Sequence, residues 1–170
     1  MERKEQEELL GTWAAAHGGI LRKVARAFAR EVDDQADLIQ ELLHALWLAL
    51  PSFRRDSSSA TFVYRVAHNR ALNWQRARRR YRQRVASAQR LGALEPAVPA
   101  DPETQRQLER LYEAIRSLPP LDRTLVLLYL DDLPYATIRE ITGLTENHVG
   151  VRLSRIRHEL ARRLNERSDP

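Results

Sequence analysis

Residues 133–160 read LPYATIREITGLTENHVGVRLSRIRHEL, two helical patterns meeting at a single glycine turn. Val149, Leu153, Ile156 and Leu160 recur every three or four residues and define one apolar stripe. Asn147, His148, Val151, Ser154, Arg155, His158 and Arg162 project from the other side, so this helix is anchored on one face and presents the other. Thr145 suits the N-cap, because its hydroxyl accepts from a free backbone N–H of the first turn, and Gly143 just before it permits a tight turn. Ahead of the turn, Pro134 is placed to start a short helix with Tyr135, Ile138 and Ile141 inward. A short helix, a glycine turn and a second helix packed back through Val149 is the plan of a helix-turn-helix. In that plan the first turns of the second helix enter a major groove. Asn147, His148, Ser154 and Arg155 then meet base edges, with Thr145 and Val151 on the same approach, while Arg152, Arg157 and Arg162 reach phosphates to either side. The plain alternative is a solvated amphipathic helix in a helical hairpin.

The rest of the chain says what such a helix is for. In 170 residues there are 26 Arg, two Lys and 23 acidic residues, a net charge of +5 that favours a polyanionic partner. Arginine suits bidentate phosphate and base-edge contacts, although a compositional bias of the genome enriches it as well. The absence of cysteine excludes disulfides, thiolate metal sites and cysteine nucleophiles. The charged start MERKEQEELL carries no signal-peptide pattern, and no apolar run approaches the ~20 residues of a spanning helix, so a cytoplasmic location without membrane attachment is expected.

A chain of this length holds one domain or two small ones. Between Arg90 and Gln105, Pro96, Pro99 and Pro102 interrupt any helix and little is available to bury, which reads as a linker over 91–105. Residues 1–90 carry 17 basic against 10 acidic side chains, and residues 91–170 carry 11 against 13. The basic excess belongs to the first half. Both halves have helical periodicity throughout, as in Leu38, Leu42, Leu46 and Leu50, and no strand-like alternation competes. The expected helices are about 5–16, 19–32, 35–49 and 60–84. Another is marked by Leu108, Leu111, Tyr112 and Ile115, one runs from Pro120 to about Leu130, and the helix-turn-helix follows. The expected fold is therefore all-α: two small helical domains, 1–90 and 106–170, joined by a proline-containing linker.

Two stretches carry a family resemblance. SLPPLDRTLVLLYLDDLPYATIREITGLTENHVGVRLSRIRHEL, residues 117–160, resembles the C-terminal promoter-reading domain of the extracytoplasmic-function sigma factors of RNA polymerase. DDQADLIQELLHALWLALPSFRRDSSSATFVYRVAHNRALNWQRARRR, residues 33–80, resembles the other conserved domain of that family. The two occur in the family's order with a linker between. Arg139 stands where the family usually has a small residue, and Gly150 where it often has a basic or polar one.

Asp37, Gln40 and Glu41 lie three and four apart on one helix, opposite Leu38, Leu42 and Leu46, and form an acidic, polar patch. The resemblance implies that this patch grips the clamp helices of the polymerase's largest subunit. Favourable charge at a helix start also accounts for Asp33, Asp34 and Asp37. Glu41-x-x-His44 has the spacing of a di-iron half-site, but those sites need a second such pair and two more Glu, and the sequence has no second pair. No metal or other cofactor is expected.

The loop 54–61 and the helix after it have the parts that hold single-stranded bases: rings to stack on, polar groups and cations. Ser57, Ser58, Ser59 and Thr61 supply a polar loop, Phe62 and Tyr64 rings, and Arg65, Asn69, Arg70, Asn73 and Arg76 polar and cationic groups. Phe62 and Trp74 also fit a core. RARRRYRQR, residues 76–84, puts six Arg in nine residues and suggests phosphate tracking. The resemblance then implies an alternative sigma factor that binds core RNA polymerase and promoter DNA, has no active site of its own, and leaves room for an anti-sigma factor as a third partner. The competing reading is a two-domain helix-turn-helix regulator that acts without polymerase. A helical enzyme is disfavoured, since no nucleophile, base and orienting group cluster.

Overall fold

The computed structural model describes residues 2–84 and 101–166, with side chains over 2–78 and 101–165. The described chain is helical, and it divides into two compact units, 1–94 and 95–170. Residues 91–100, most of the expected linker, lie outside the described residues, as do the side chains of 79–84 in the arginine run.

In the first unit α1 (Arg3–Phe28), α2 (Val32–Ala49) and α3 (Ser59–Arg84) pack against one another, with a 3₁₀ turn at Leu50–Ser52 closing α2. One expectation fails here. The helices expected at 5–16 and 19–32 are a single helix running through Gly18 and Gly19. Two interior glycines cost about 1 kcal/mol each relative to alanine. That cost is offset because Trp13, His17, Leu21, Val24 and Phe28 keep one helical spacing through them, and all but half-buried His17 lie in the core. The helix ends where Ala29 turns extended, and Gln35 Nε2 donates to the carbonyls of Ala29 (3.3 Å) and Arg30 (3.2 Å), which have left the helical ladder. Along α2 and into the turn that closes it, the leucines read from the sequence do the burying: Leu38, Leu42, Leu46 and Leu50 are all at most 1% exposed. Each such leucine is worth roughly 1.5–3 kcal/mol of burial.

In the second unit α4 (Pro102–Arg116), α5 (Pro120–Leu130) and α6 (Tyr135–Thr142) all pack on α7 (Glu146–Glu166). Pro102, expected to break a helix, instead opens one. Asp101 is the cap, its Oδ2 accepting from the Thr104 N–H at 3.3 Å, and a proline in the first turn loses no hydrogen bond. Gly143 takes the left-handed conformation (φ 75°) that ends α6, and the Thr145 hydroxyl accepts from the His148 N–H at 3.3 Å to start α7. Val149, Leu153, Ile156 and Leu160 are buried, together with Ile115, Leu125, Leu128, Ile138 and Ile141. Tyr135, expected inward, is 39% exposed and lies beside Gly150 instead.

Candidate nucleic-acid and polymerase interfaces

On α7 the apolar stripe fixes what the opposite side presents. Thr145, Asn147, His148, Val151 and Arg155 are exposed and Ser154 is half-buried. Among the described residues Arg155 has no ion pair, which leaves its guanidinium available to a partner. The flanking cations are held. Arg152 Nε donates to Asp122 Oδ1 of α5 at 2.8 Å. Arg157 lies over the Tyr129 ring at 5.8 Å, and Arg162 pairs with Glu159 at 2.9 Å. Arg152, expected from the sequence to reach a phosphate, is in this structure half-exposed and paired with a carboxylate thirty positions back. His158 Nδ1 bonds the Ser154 carbonyl at 2.7 Å, a local contact along the helix.

Arg139 is exposed, so it does not enter the α6–α7 crossing. Gly150 does. A Cβ there would lie 3.5 Å from the Tyr135 ring, an ordinary contact distance, and a longer side chain would have to cover or move the ring.

On α2, Asp33, Asp37, Gln40, His44 and Leu48 are exposed at helical spacing and form an outward stripe. Leu48, at 65%, is the most exposed of the large hydrophobic residues in the described chain. Asp37 and Gln40 stand in that stripe, but Glu41 does not stand free beside them: Arg70 of α3 donates to its carboxylate, through Nε at 3.1 Å and through a shorter bond from Nη2. Asp34 is buried and pairs with Arg78. Two acids of α2 are thus counter-ions to α3. Among the described residues no group of three or more His, Cys, Asp and Glu is placed to hold a metal ion.

The serine loop is structured. Ser58 caps α3, accepting from the Thr61 N–H at 3.1 Å and sharing a 2.8 Å hydroxyl contact with Thr61, and Ser59 Oγ lies 2.9 Å from His17 Nε2. Ser57 is half-buried. Thr61, Phe62 and Tyr64 are 8%, 4% and 5% exposed. These three, candidates from the sequence for receiving bases, are buried here, and for Phe62 the structure has the core placement that the sequence also allowed. Phe62 belongs to an edge-to-face cluster with Trp13 (5.8 Å) and Phe53 (5.1 Å), because the first turn of α3 faces α1. Arg65 lies over the outer side of Phe62 at 5.3 Å. The polar residues Arg65, Asn69, Asn73 and Arg76 remain on the exposed face of α3, and Trp74 is half-buried with Arg78 over its ring at 5.5 Å. His68, between them, is 5% exposed, and burial pushes its imidazole down to about 4.

Sequence reading missed the holders: Trp13, His17 and Phe53 beneath the loop, Arg70 on Glu41, and Asp122 on Arg152. The apolar spacing of α1 contained a signal for Trp13 once the helix is continued through its glycines. Nothing local announced the two ion pairs.

A two-unit helical chain with a helix-turn-helix in its second unit has the features of a DNA-binding transcription protein. The family models make that specific: residues 13–81 match sigma-70 region 2 and residues 108–160 match sigma-70 region 4. The chain belongs to the sigma-70 family of RNA polymerase sigma factors, within its extracytoplasmic-function type, and acts as an alternative sigma factor directing transcription. It is similar to the RNA polymerase sigma factor CnrH of Cupriavidus metallidurans, at 28% identity over 96% of this chain and 90% of that protein. It is also similar to the RNA polymerase sigma factor SigV of Bacillus subtilis, at 25% identity over 91% of each. Among solved structures, the sigma factor RpoE in complex with the anti-sigma factor NepR from Bartonella quintana shares the fold at TM-score 0.70 and 23% identity, covering 96% of this chain and 98% of that one. CnrH in complex with the cytosolic domain of CnrY does so at 0.64 and 24%, covering 96% and 91%. No helix of the described chain is long and apolar enough to cross a membrane.

Proposed function

We propose that the first unit docks on core RNA polymerase through the outward stripe of α2, centred on Asp37 and Gln40, and contacts the minus-ten element with Arg65, Asn69, Asn73 and Arg76. The second unit reads the minus-thirty-five element through Asn147, His148, Val151, Ser154 and Arg155. The observation that carries this reading is the division of labour on α7, where the flanking arginines are tied to carboxylates or rings and the central face is left open. An exposed unpaired arginine amid amide, imidazole and hydroxyl groups is the chemistry of base-edge recognition. Glu41 contributes to docking only through a contact shared with Arg70.

The chain works as a specificity subunit in the cytoplasm, with catalysis and its Mg²⁺ left to the polymerase. Solved relatives are bound to anti-sigma proteins, which supports a partner of that kind here. Gel filtration with core polymerase tests the reading. Co-elution of the wild type, and its loss in Asp37→Arg with unchanged helix content, is the expected result. Promoter binding without polymerase association would return the chain to the class of ordinary helix-turn-helix regulators.

A further inference from the structure

The recognition face of α7 has an apolar centre that hydrogen-bonding chemistry leaves unexplained. Val151 is 45% exposed in the middle of it, with Asn147 and His148 one turn before and Ser154 and Arg155 one turn after. The Tyr135 ring, 39% exposed, meets α7 at Gly150, the neighbour of Val151. Isolated exposed apolar residues need no explanation. Here two of the four large ones in the described chain flank a residue with no side chain. Gly150 is not forced by crowding, since an alanine Cβ would sit at 3.5 Å from the ring. With no side chain at 150, nothing from that position stands over the Tyr135 ring beside the exposed Val151, whereas a long polar side chain there would have to cover or move the ring.

The geometry points to a thymine reader: the apolar surface of Val151 and Tyr135, left uncovered at Gly150, takes the 5-methyl group of a thymine in the major groove of the minus-thirty-five element. This rests on the assignment of α7 to that element. In the major groove the thymine methyl is the one apolar feature that distinguishes a base pair, and apolar side chains read it by contact. The surrounding groups fit neighbouring positions, because an amide such as Asn147 pairs with adenine N6 and N7, and a guanidinium such as Arg155 with guanine O6 and N7. Val151 is thereby a specificity-determining residue, and Gly150 and Tyr135 shape its surroundings.

The test removes the methyl group and nothing else. A preferred duplex is first selected by full-length protein with core polymerase from a library randomised in the upstream element. Each thymine of that element is then replaced in turn by deoxyuridine. Wild-type binding is expected to fall about fourfold at one or two positions, the equivalent of ~0.8 kcal/mol for one buried methyl group, and to be unchanged at the others. Val151→Ser, an exposed substitution that leaves the core intact, is expected to bind thymine and deoxyuridine duplexes alike. Gly150→Gln is expected to abolish the same discrimination by covering or moving the ring beside Val151. Wild-type indifference to deoxyuridine at every position overturns the inference while leaving sequence-specific binding standing, as does a methyl penalty that survives in Val151→Ser. Failure to select any preferred duplex overturns the assignment of α7 to promoter DNA, and the inference with it.

Discussion

The two helices expected to meet DNA, α3 and α7, hold their arginines differently. On α3, Arg70 and Arg78 are joined to Glu41 and Asp34 of α2, and the first-turn rings are packed inward, so much of its chemistry binds the unit together. On α7 the ties are at the flanks, through Arg152, Arg157 and Arg162, while Arg155 and its neighbours are open. A helix can therefore be rich in cations and still offer few of them. The useful count is of cations left over after the fold has taken its share.

The largest expected effect tests the buried side of this contrast. Leu42→Ala empties a fully buried site between α2 and its neighbours and should cost ~2–5 kcal/mol, read as an earlier denaturation midpoint, whereas Val151→Ala on the open face should stay within about 0.5 kcal/mol. Equal losses would erase the distinction between packed and presented faces.

Next comes pH. Burial lowers the pKa of His68 from 6.5 to about 4, so the unfolded chain takes up a proton in a range where the folded chain does not. Its contribution is complete above about pH 6.5 and is lost as pH falls toward 4, by roughly 3 kcal/mol at the end of that window. Urea titrations at a series of pH values should show the loss, and His68→Leu should flatten that part of the profile.

Arg155→Ala is expected to cost ~1–3 kcal/mol of binding and to relax preference at one or two positions of the upstream element, since a free guanidinium is the group able to read a base. Selection from a randomised element measures this, and an unchanged preference would assign the wrong face of α7 to the groove.

The smallest effect sharpens the comparison most. Arg152→Ala breaks a half-exposed ion pair worth ~0.2–1 kcal/mol. Because Asp122 already holds this charge, the salt dependence of DNA binding should not change in Arg152→Ala, and the exchanged pair Asp122→Arg with Arg152→Asp should recover stability. A salt slope flatter by about one would instead make Arg152 a phosphate contact.

Much of this was legible beforehand, for local reasons. The helical spacing of Leu38, Leu42 and Leu46 and of Val149, Leu153, Ile156 and Leu160 named buried faces, and Thr145 and Gly143 named a helix start and a turn. Those signals act within one or two turns of chain, where sequence spacing is spatial spacing. By the same logic the exposed faces of α2, α3 and α7 could be listed, including Asp37, Gln40, Asn69, Asn73 and Arg155.

Only the tertiary structure decided which polar groups were already used. Glu41 meets Arg70 across 29 positions and Arg152 meets Asp122 across 30, and neither pairing follows from helical period. Phe62 went inward because α1 continues through two glycines and brings Trp13 to the start of α3, a consequence of packing that outweighs the local cost of glycine. Sequence by itself determined that this protein is two helical units with a helix-turn-helix in the second. Which charges are already paired within the fold was settled by how helices cross, because a side chain's partner depends on the geometry of its neighbours, and a sequence carries that geometry only once it has folded.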